Sequence, residues 1–228
     1  MSIGASDPPL TLRASPRAKA MRLRLDRRGG GFVLTFPARM SARRALAWAE
    51  THRAWMRETA AAQPAGTALT DGAMLPIEGE PHRICWRAEG PRVPRVAAGA
   101  IDIGGPPDTV EQRLLRWLKR RARDVLSADT AEYAAKAGVV VAAVGVGDPV
   151  WRWGSCSSSG AIRYSWRLLL APPDVRRATV AHEVAHRVHM NHGPEFHALV
   201  AELFGADQAP ARLWLRRNGA ALHRIGRH

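Results

Sequence analysis

The stretch AHEVAHRVHMNHGPEFH, residues 181–197, holds five of the chain's nine histidines, and within it stands H-E-x-x-H. Residues four apart on an α-helix lie on one face about one turn apart, so His182 and His186 can aim their imidazoles at the same tetrahedral ion. Zinc takes imidazole nitrogen at about 2.0–2.1 Å, and two such rings supply half of its shell. Glu183, rotated about 100° round the helix from His182, reaches a metal-bound water without ligating the ion, which is the place of a general base. The third ligand must come from elsewhere, and His189, His192 and His197 are on offer. His189 would lie about 10 Å along a continuing helix from His182, too far to share one ion. His192 is better placed, because Asn191 tolerates the left-handed conformation and Gly193-Pro194 prevents further helical turns, so the chain can reverse there. Three histidines leave a fourth position open, as a catalytic zinc requires. The competing reading is a solvent-exposed, histidine-rich helix without metal. In either case Val180, Ala181, Val184, Ala185 and Val188 supply the apolar side.

The helix that carries this motif is expected to begin near Pro172 and Pro173, with Asp174 in its first turn. Before it come a hairpin within WRWGSCSSSGAIRYSWRLLL and a Val-rich run, residues 137–147, which reads as a buried strand too short to span a membrane. Further upstream, DTVEQRLLRWLKRRARDVLSADTAEYAAKAG predicts a long helix with an Asp108–Glu111 capping box and a close at Gly138. Its basic face, Arg116, Lys119, Arg120 and Arg123, is expected in solvent. GAMLPIEGEPHRICW and RVPRVAAGAIDIGG read as short strands bounded by Gly and Pro. SARRALAWAETHRAWMRETAAA reads as one amphipathic helix behind a Ser41 cap, with Leu46, Trp48, Trp55 and Met56 as its stripe. MRLRLDRRGGGFVLTFP predicts a hairpin around a Gly-rich turn. The expected fold class is therefore α+β. It has a flexible tail over 1–17, a mainly β N-terminal lobe with one helix over 18–105, and a catalytic region over 106–228 whose active-site helix packs on a small sheet.

The formal net charge is +14, almost all of it from arginine, since Lys19, Lys119 and Lys136 are the only lysines. That balance admits an acidic partner such as a nucleotide or nucleic acid, but says nothing of fold. The N-terminus lacks a continuous apolar leader, so a cytoplasmic location is expected, with no membrane partner. Cys85 and Cys156 lie too far apart in sequence for a C-x-x-C knuckle or a disulfide framework, and each is expected as a small buried thiol.

WGSCSSSGAIRYSWRL followed by APPDVRRATVAHEVAHRVHMNHGPEF resembles the YgjP-like zinc metallopeptidase family, which pairs a W-G-S-C hairpin with H-E-x-x-H and a following N-H. A looser likeness runs through RLRLDRRGGGFVLTFPARMSARRALAWAETHRAWM, so one continuous family domain is expected over 18–220. The resemblance implies a zincin-like catalytic domain and one Zn2+ held by His182, His186 and His192. It also implies Glu183 as the catalytic carboxylate and a peptide or protein substrate. HGPEF is similar to the third-ligand segment of SprT and Spartan-like proteases, some of which act on proteins crosslinked to DNA. Two departures stand out. His189 occupies the place where metzincins need glycine, with no clear Met-turn, and Ser165 stands where the YgjP-like pattern has Asn, which is expected to alter the rim of the site.

The leading expectation is hydrolysis by a zinc-activated water, with Glu183 taking a proton and returning it to the leaving group. A peptide would add as a strand to the hairpin edge, with Trp153 or Tyr164 as pocket walls. His197, Tyr164 and Arg163 are candidate donors to an oxyanion, and Glu195 reads as a helix-start carboxylate. Two alternatives remain open: hydrolysis of a nucleotide phosphoanhydride, and a DNA-associated protease or binding protein.

Overall fold

The computed structural model of the chain describes residues 7–26 and 31–227. The architecture is α+β, in two compact units divided between Gly66 and Thr67. The expected Gly-rich turn at residues 27–30 and the first six residues of the expected tail lie outside the described residues. Among the described residues, no helix is long and apolar enough to cross a membrane.

In the first unit β1 (Leu10–Ser15), β2 (Arg22–Leu25) and β3 (Phe32–Pro37) form a sheet of order β1-β3-β2. β2 and β3 are the expected antiparallel hairpin, with Leu25 opposite Phe32. β1 differs from the loose tail expected there, pairing parallel to β3 from Leu10 opposite Phe32 to Ser15 opposite Pro37. Pro8, Pro9 and Pro16 bound this strand rather than interrupt it, so no ladder donor is lost within it.

The single expected helix is two, α1 (Ala42–Glu50) and α2 (Arg53–Ala61). Ser41 does cap α1, its hydroxyl accepting from the Arg44 N–H at 3.3 Å. At the break, the Thr51 hydroxyl and His52 Nδ1 lie 2.7 and 3.0 Å from the Trp48 carbonyl, and the His52 N–H bonds to Ala49 instead. Side chains thus take the carbonyl that a continuing helix would use. Ala45, Ala49 and Met56 face Leu10, Phe32, Leu34 and Phe36 in the core of this unit. Trp55 is 44% exposed, because the break rotates it off the expected stripe.

The second unit begins with β4 (Met74–Ile77), β5 (Glu80–Arg87), β6 (Arg95–Ala97) and β7 (Ala100–Gly104), in the order β4-β5-β7-β6. Its two hairpins turn on Glu78-Gly79 and Ala98-Gly99, all four at positive φ, as two-residue primed turns require. The helix α3 (Val110–Lys136) lays Leu114 and Leu118 in one core with Leu75, Ile84, Ile101 and Ile103. That core runs through position 105, where the sequence pattern changes from strand to helix. No side chain caps α3, so the expected capping box is not made. A 3-10 turn at Pro107–Thr109 leads into the helix instead, and Glu111 accepts from the Leu69 N–H at 3.5 Å. Gly138, at φ 64, closes α3 as expected, and Arg116, Lys119, Arg120 and Arg123 are exposed.

The third sheet has the order β8-β10-β9, built from β8 (Ala143–Gly147), β9 (Gly154–Cys156) and β10 (Ala161–Ser165). β9 and β10 are the expected hairpin, while β8 runs parallel to β10 on the other edge. The Val-rich run is not the buried strand expected. Its edge position leaves β8 half-buried, and Val140 before it is 82% exposed. Cys85 and Cys156 are free and part-exposed, not enclosed as expected.

The helices α4 (Pro173–Ala185), α5 (Pro194–Phe204) and α6 (Ala209–Arg224) complete the unit. α4 starts on Pro172-Pro173 with Asp174 in its first turn, as expected. Beside the apolar core it shares with α3, ionic contacts anchor it: buried Arg176 reaches Asp129 of α3 at 2.7 Å and Glu78 of the β4–β5 turn at 3.2 Å, and Arg177 reaches Asp129 at 3.1 Å and Glu132 of α3 at 2.7 Å. A buried guanidinium paired in this way holds a helix in one register, because losing any partner strands a charge.

Candidate metal centre

α4 ends at Ala185, one residue before the second histidine of H-E-x-x-H. His186 is its C-cap, and a tight turn follows in which the Arg187 N–H bonds to Val184 and the N–H groups of Val188 and His189 to Ala185. The reversal therefore starts earlier than the NHGP break expected from sequence, and Asn191 keeps negative φ. Val188 consequently leaves the apolar side of the helix and is exposed. Gly193-Pro194 instead starts α5, with Pro194 as its first residue, and so places His192 just ahead of a new helix.

The consequence is convergence. His182, His186 and His192 each offer a ring nitrogen, and the three lie within 4.8 Å of one another. His182 Nε2 and His192 Nε2 are 3.2 Å apart. Tetrahedral zinc at about 2.05 Å from its ligands needs donors about 3.3 Å apart, so this pair is already at ligand spacing. His186 Nδ1 lies 3.1 Å from the His189 carbonyl. A carbonyl only accepts, so Nδ1 carries the proton and Nε2 keeps the free lone pair. His189 thus contributes through its backbone, while its ring lies 3.8 Å from Glu195. Phe196 of α5 sits among the three imidazoles, its ring centroid 4.6–4.9 Å from each.

Burial, and then the charges of His186 and His192, lower the His182 pKa to about 4, and burial also lowers that of His186. These two rings are therefore neutral at physiological pH, the form that binds a metal.

Glu183 is 6% exposed. Burial raises its pKa to about 7, against the pull of the Arg152 charge and of a hydrogen bond from the Cys156 N–H. That N–H is on the free edge of β9, which also supplies the space the carboxyl occupies. A Cβ at Gly154 would come within 2.5 Å of Glu183 Oε1. The glycine of WGSC is thus a cradle for the carboxylate, and an isolated glycine in a strand is the sequence signal for such an approach.

A cavity of about 280 Å³ opens beside His182 and Glu183, between β9, α4 and α6. Trp153 lines it, stacking on His223 with centroids 5.0 Å apart, and bare Gly219 leaves room for its indole. Tyr164 is not a pocket wall. It is fully buried, with its hydroxyl 3.1 Å from Thr130 Oγ1, because its place on β10 faces α3. Arg163 is exposed and lies across Gly145 and Gly147 of β8, away from the cluster. His197 is on the exposed side of α5, its ring centroid 6.3 Å from that of His192. Ser165 is buried and accepts from the Arg167 N–H at 3.4 Å, so it does not reach the rim. Arg152, Gln208, Arg212 and Leu215 line the cavity without having been marked by any motif; α6 comes to the site only through the tertiary fold.

No curated protein and no solved structure matches the chain. A family model does: the YgjP-like metallopeptidase domain, over residues 19–218. With that match spanning most of its length, the chain belongs to the YgjP-like metallopeptidase family.

Proposed function

We propose that the chain is a zinc-dependent peptidase in which His182, His186 and His192 hold one ion and Glu183 is the general base and acid. The observation that carries this reading is the convergence of three imidazole nitrogens within 4.8 Å beside a buried carboxyl. The donor set fits zinc: three imidazole nitrogens, one spacing already at the tetrahedral value, and a cavity alongside for substrate. When bound, the ion supplies a Lewis acid for the scissile carbonyl and a water acidified towards neutral pH. Glu183 is the group that takes and returns the proton, and the Cys156 N–H keeps its carboxyl oriented. The outer edge of β9 offers a peptide backbone-pairing groups next to Glu183, and Trp153 offers an apolar wall.

Zinc content by mass spectrometry and hydrolysis of unfolded protein test this together. Glu183→Gln is expected to retain the metal and lose hydrolysis, while His182→Ala loses both. Full turnover in Glu183→Gln ends the general-base assignment. A second reading, hydrolysis of a nucleotide phosphoanhydride, draws on Arg152 and Arg212 at the same cavity. Activity on nucleoside triphosphates, with none on unfolded protein, would replace the peptidase reading with this one.

A further inference from the structure

The cavity beside Glu183 has two kinds of wall. Trp153, Ala178, Ala211 and Leu215 make its apolar part, and the side chains of Arg152 and Arg212 stand at the exposed margin. Among the described residues neither guanidinium forms a hydrogen bond or an ion pair. Arg152 acts on Glu183 only through its charge, and Arg212 likewise on His182. Glu183 is the one carboxyl in the lining, and it is the group assigned to the chemistry. Of the uncharged polar linings, the Gln208 amide donates to the Ala178 carbonyl at 2.7 Å and the Thr179 hydroxyl to the Val175 carbonyl at 3.1 Å. In the adjoining cleft, which Arg212 shares with His197, Asp207 spends Oδ1 on the Ala209 N–H at 2.8 Å.

From this arrangement we infer that the cavity is a carboxylate-selective subsite, taking the part of a peptide beside the scissile bond that presents a carboxylate on a short apolar stem. The inference rests on the peptidase reading for the position of that bond. A neutral side chain gains only the burial of its stem between Trp153 and Leu215. A carboxylate gains the same burial and also meets two planar donors with no other partner to give up. A cationic side chain meets a cleft whose margin has its own sign, on top of any ion held by the histidines. Exposed pairs are weak, each about two- to fivefold in affinity, so two guanidiniums together give a preference of about tenfold. The carboxylate has two sources, an acidic side chain or the free end of a chain.

Four short alanine-based peptides separate these. Three are blocked at both ends and carry a central Glu, Gln or Lys; the fourth carries Gln and a free C-terminal carboxylate. Calorimetric binding to the native chain, stripped of metal by a chelator, is the first readout. At least one carboxylate peptide is expected to bind about tenfold tighter than blocked Gln, with Lys weakest, and the arm that shows the gain identifies the source. Arg152→Gln combined with Arg212→Gln is expected to erase the gain, and both sites are exposed, so matching melting curves verify the fold. The inference is overturned if blocked Gln binds as tightly as both carboxylate peptides, if the gain survives in the double variant, or if no peptide binds. Cleavage by the zinc-loaded native chain is the second readout. Selective binding without cleavage of any peptide refutes the peptidase reading and leaves the subsite; cleavage without selectivity refutes the subsite alone.

Discussion

Gly154→Ala is the sharpest single perturbation of the site. The added Cβ would stand 2.5 Å from Glu183 Oε1, 2.6 Å from Cγ and 2.7 Å from Cδ, whereas ordinary contact begins near 3.4 Å. Gly154 is not among the residues at positive φ, so the methyl meets no backbone penalty, and relief must come from moving the carboxyl. The required displacement is roughly 1 Å, and with Glu183 as the proposed general base a misplacement of that size is expected to cost about 100-fold in rate. The three histidines are on α4 and on the segment leading into α5, outside the clash, so metal binding is expected to persist. Overpacking at a half-buried site costs about 1–3 kcal/mol of stability, which the melting curve will show as a modest shift. Zinc content, turnover of an unfolded-protein substrate and thermal unfolding are measured on the same preparation. Native turnover with full zinc occupancy would refute the cradle argument, because Glu183 would then tolerate a different position or have no part in the reaction.

Gly219→Ala is expected to displace Trp153, since its Cβ would come 2.8 Å from Trp153 Cζ2. The gain in helix propensity, about 1 kcal/mol, is outweighed by about 1–3 kcal/mol of overpacking, and denaturant titration with tryptophan fluorescence reads both the loss and the altered indole. Arg167→Met removes a guanidinium whose side chain is 2% exposed, bonded to Asp148 at 2.8 Å and to the Leu222 and Ile225 carbonyls at the end of α6. Stranding those groups is expected to cost about 3 kcal/mol in chemical denaturation, and a loss under 1 kcal/mol would contradict it. Hydrogen bonds from Arg177 and then Lys136 lower Glu132 from 4.5 to about 2. A depressed carboxylate stabilises the fold above its unfolded pKa, and that contribution fades as pH falls from 4.5 towards 2. Glu132→Gln should therefore flatten the dependence of melting temperature on pH in that window and leave it unchanged above pH 6; identical acid limbs would count against the pairing.

Much of the site was legible because its signals are local. The i, i+4 pair His182 and His186 and the carboxyl between them follow from helix geometry, and Gly193-Pro194 marks a chain break within reach of His192. Hairpins such as β9–β10 announce themselves by a turn between alternating residues. Local signals also misled. One apolar stripe through residues 42–61 looked continuous, yet Thr51 and His52 end the first helix by bonding to a carbonyl. Tyr164 and Arg163 are neighbours on β10 in a segment that looked site-facing, but strand alternation sends one into the core against Thr130 and the other out over β8.

The amino-acid order alone pointed to His182 and His186 as side chains that could share a metal and to the carboxyl beside them, since helical spacing acts over a few residues; the turn that brings His192 to them starts at the end of α4, ahead of Gly193-Pro194. Only the tertiary structure decided the environment of that carboxyl. Gly154 and the Cys156 N–H reach Glu183 from a strand, and α6 delivers Arg212 and Leu215 from later in the chain. Burial and close approach depend on which distant segments pack together, and no local period encodes that.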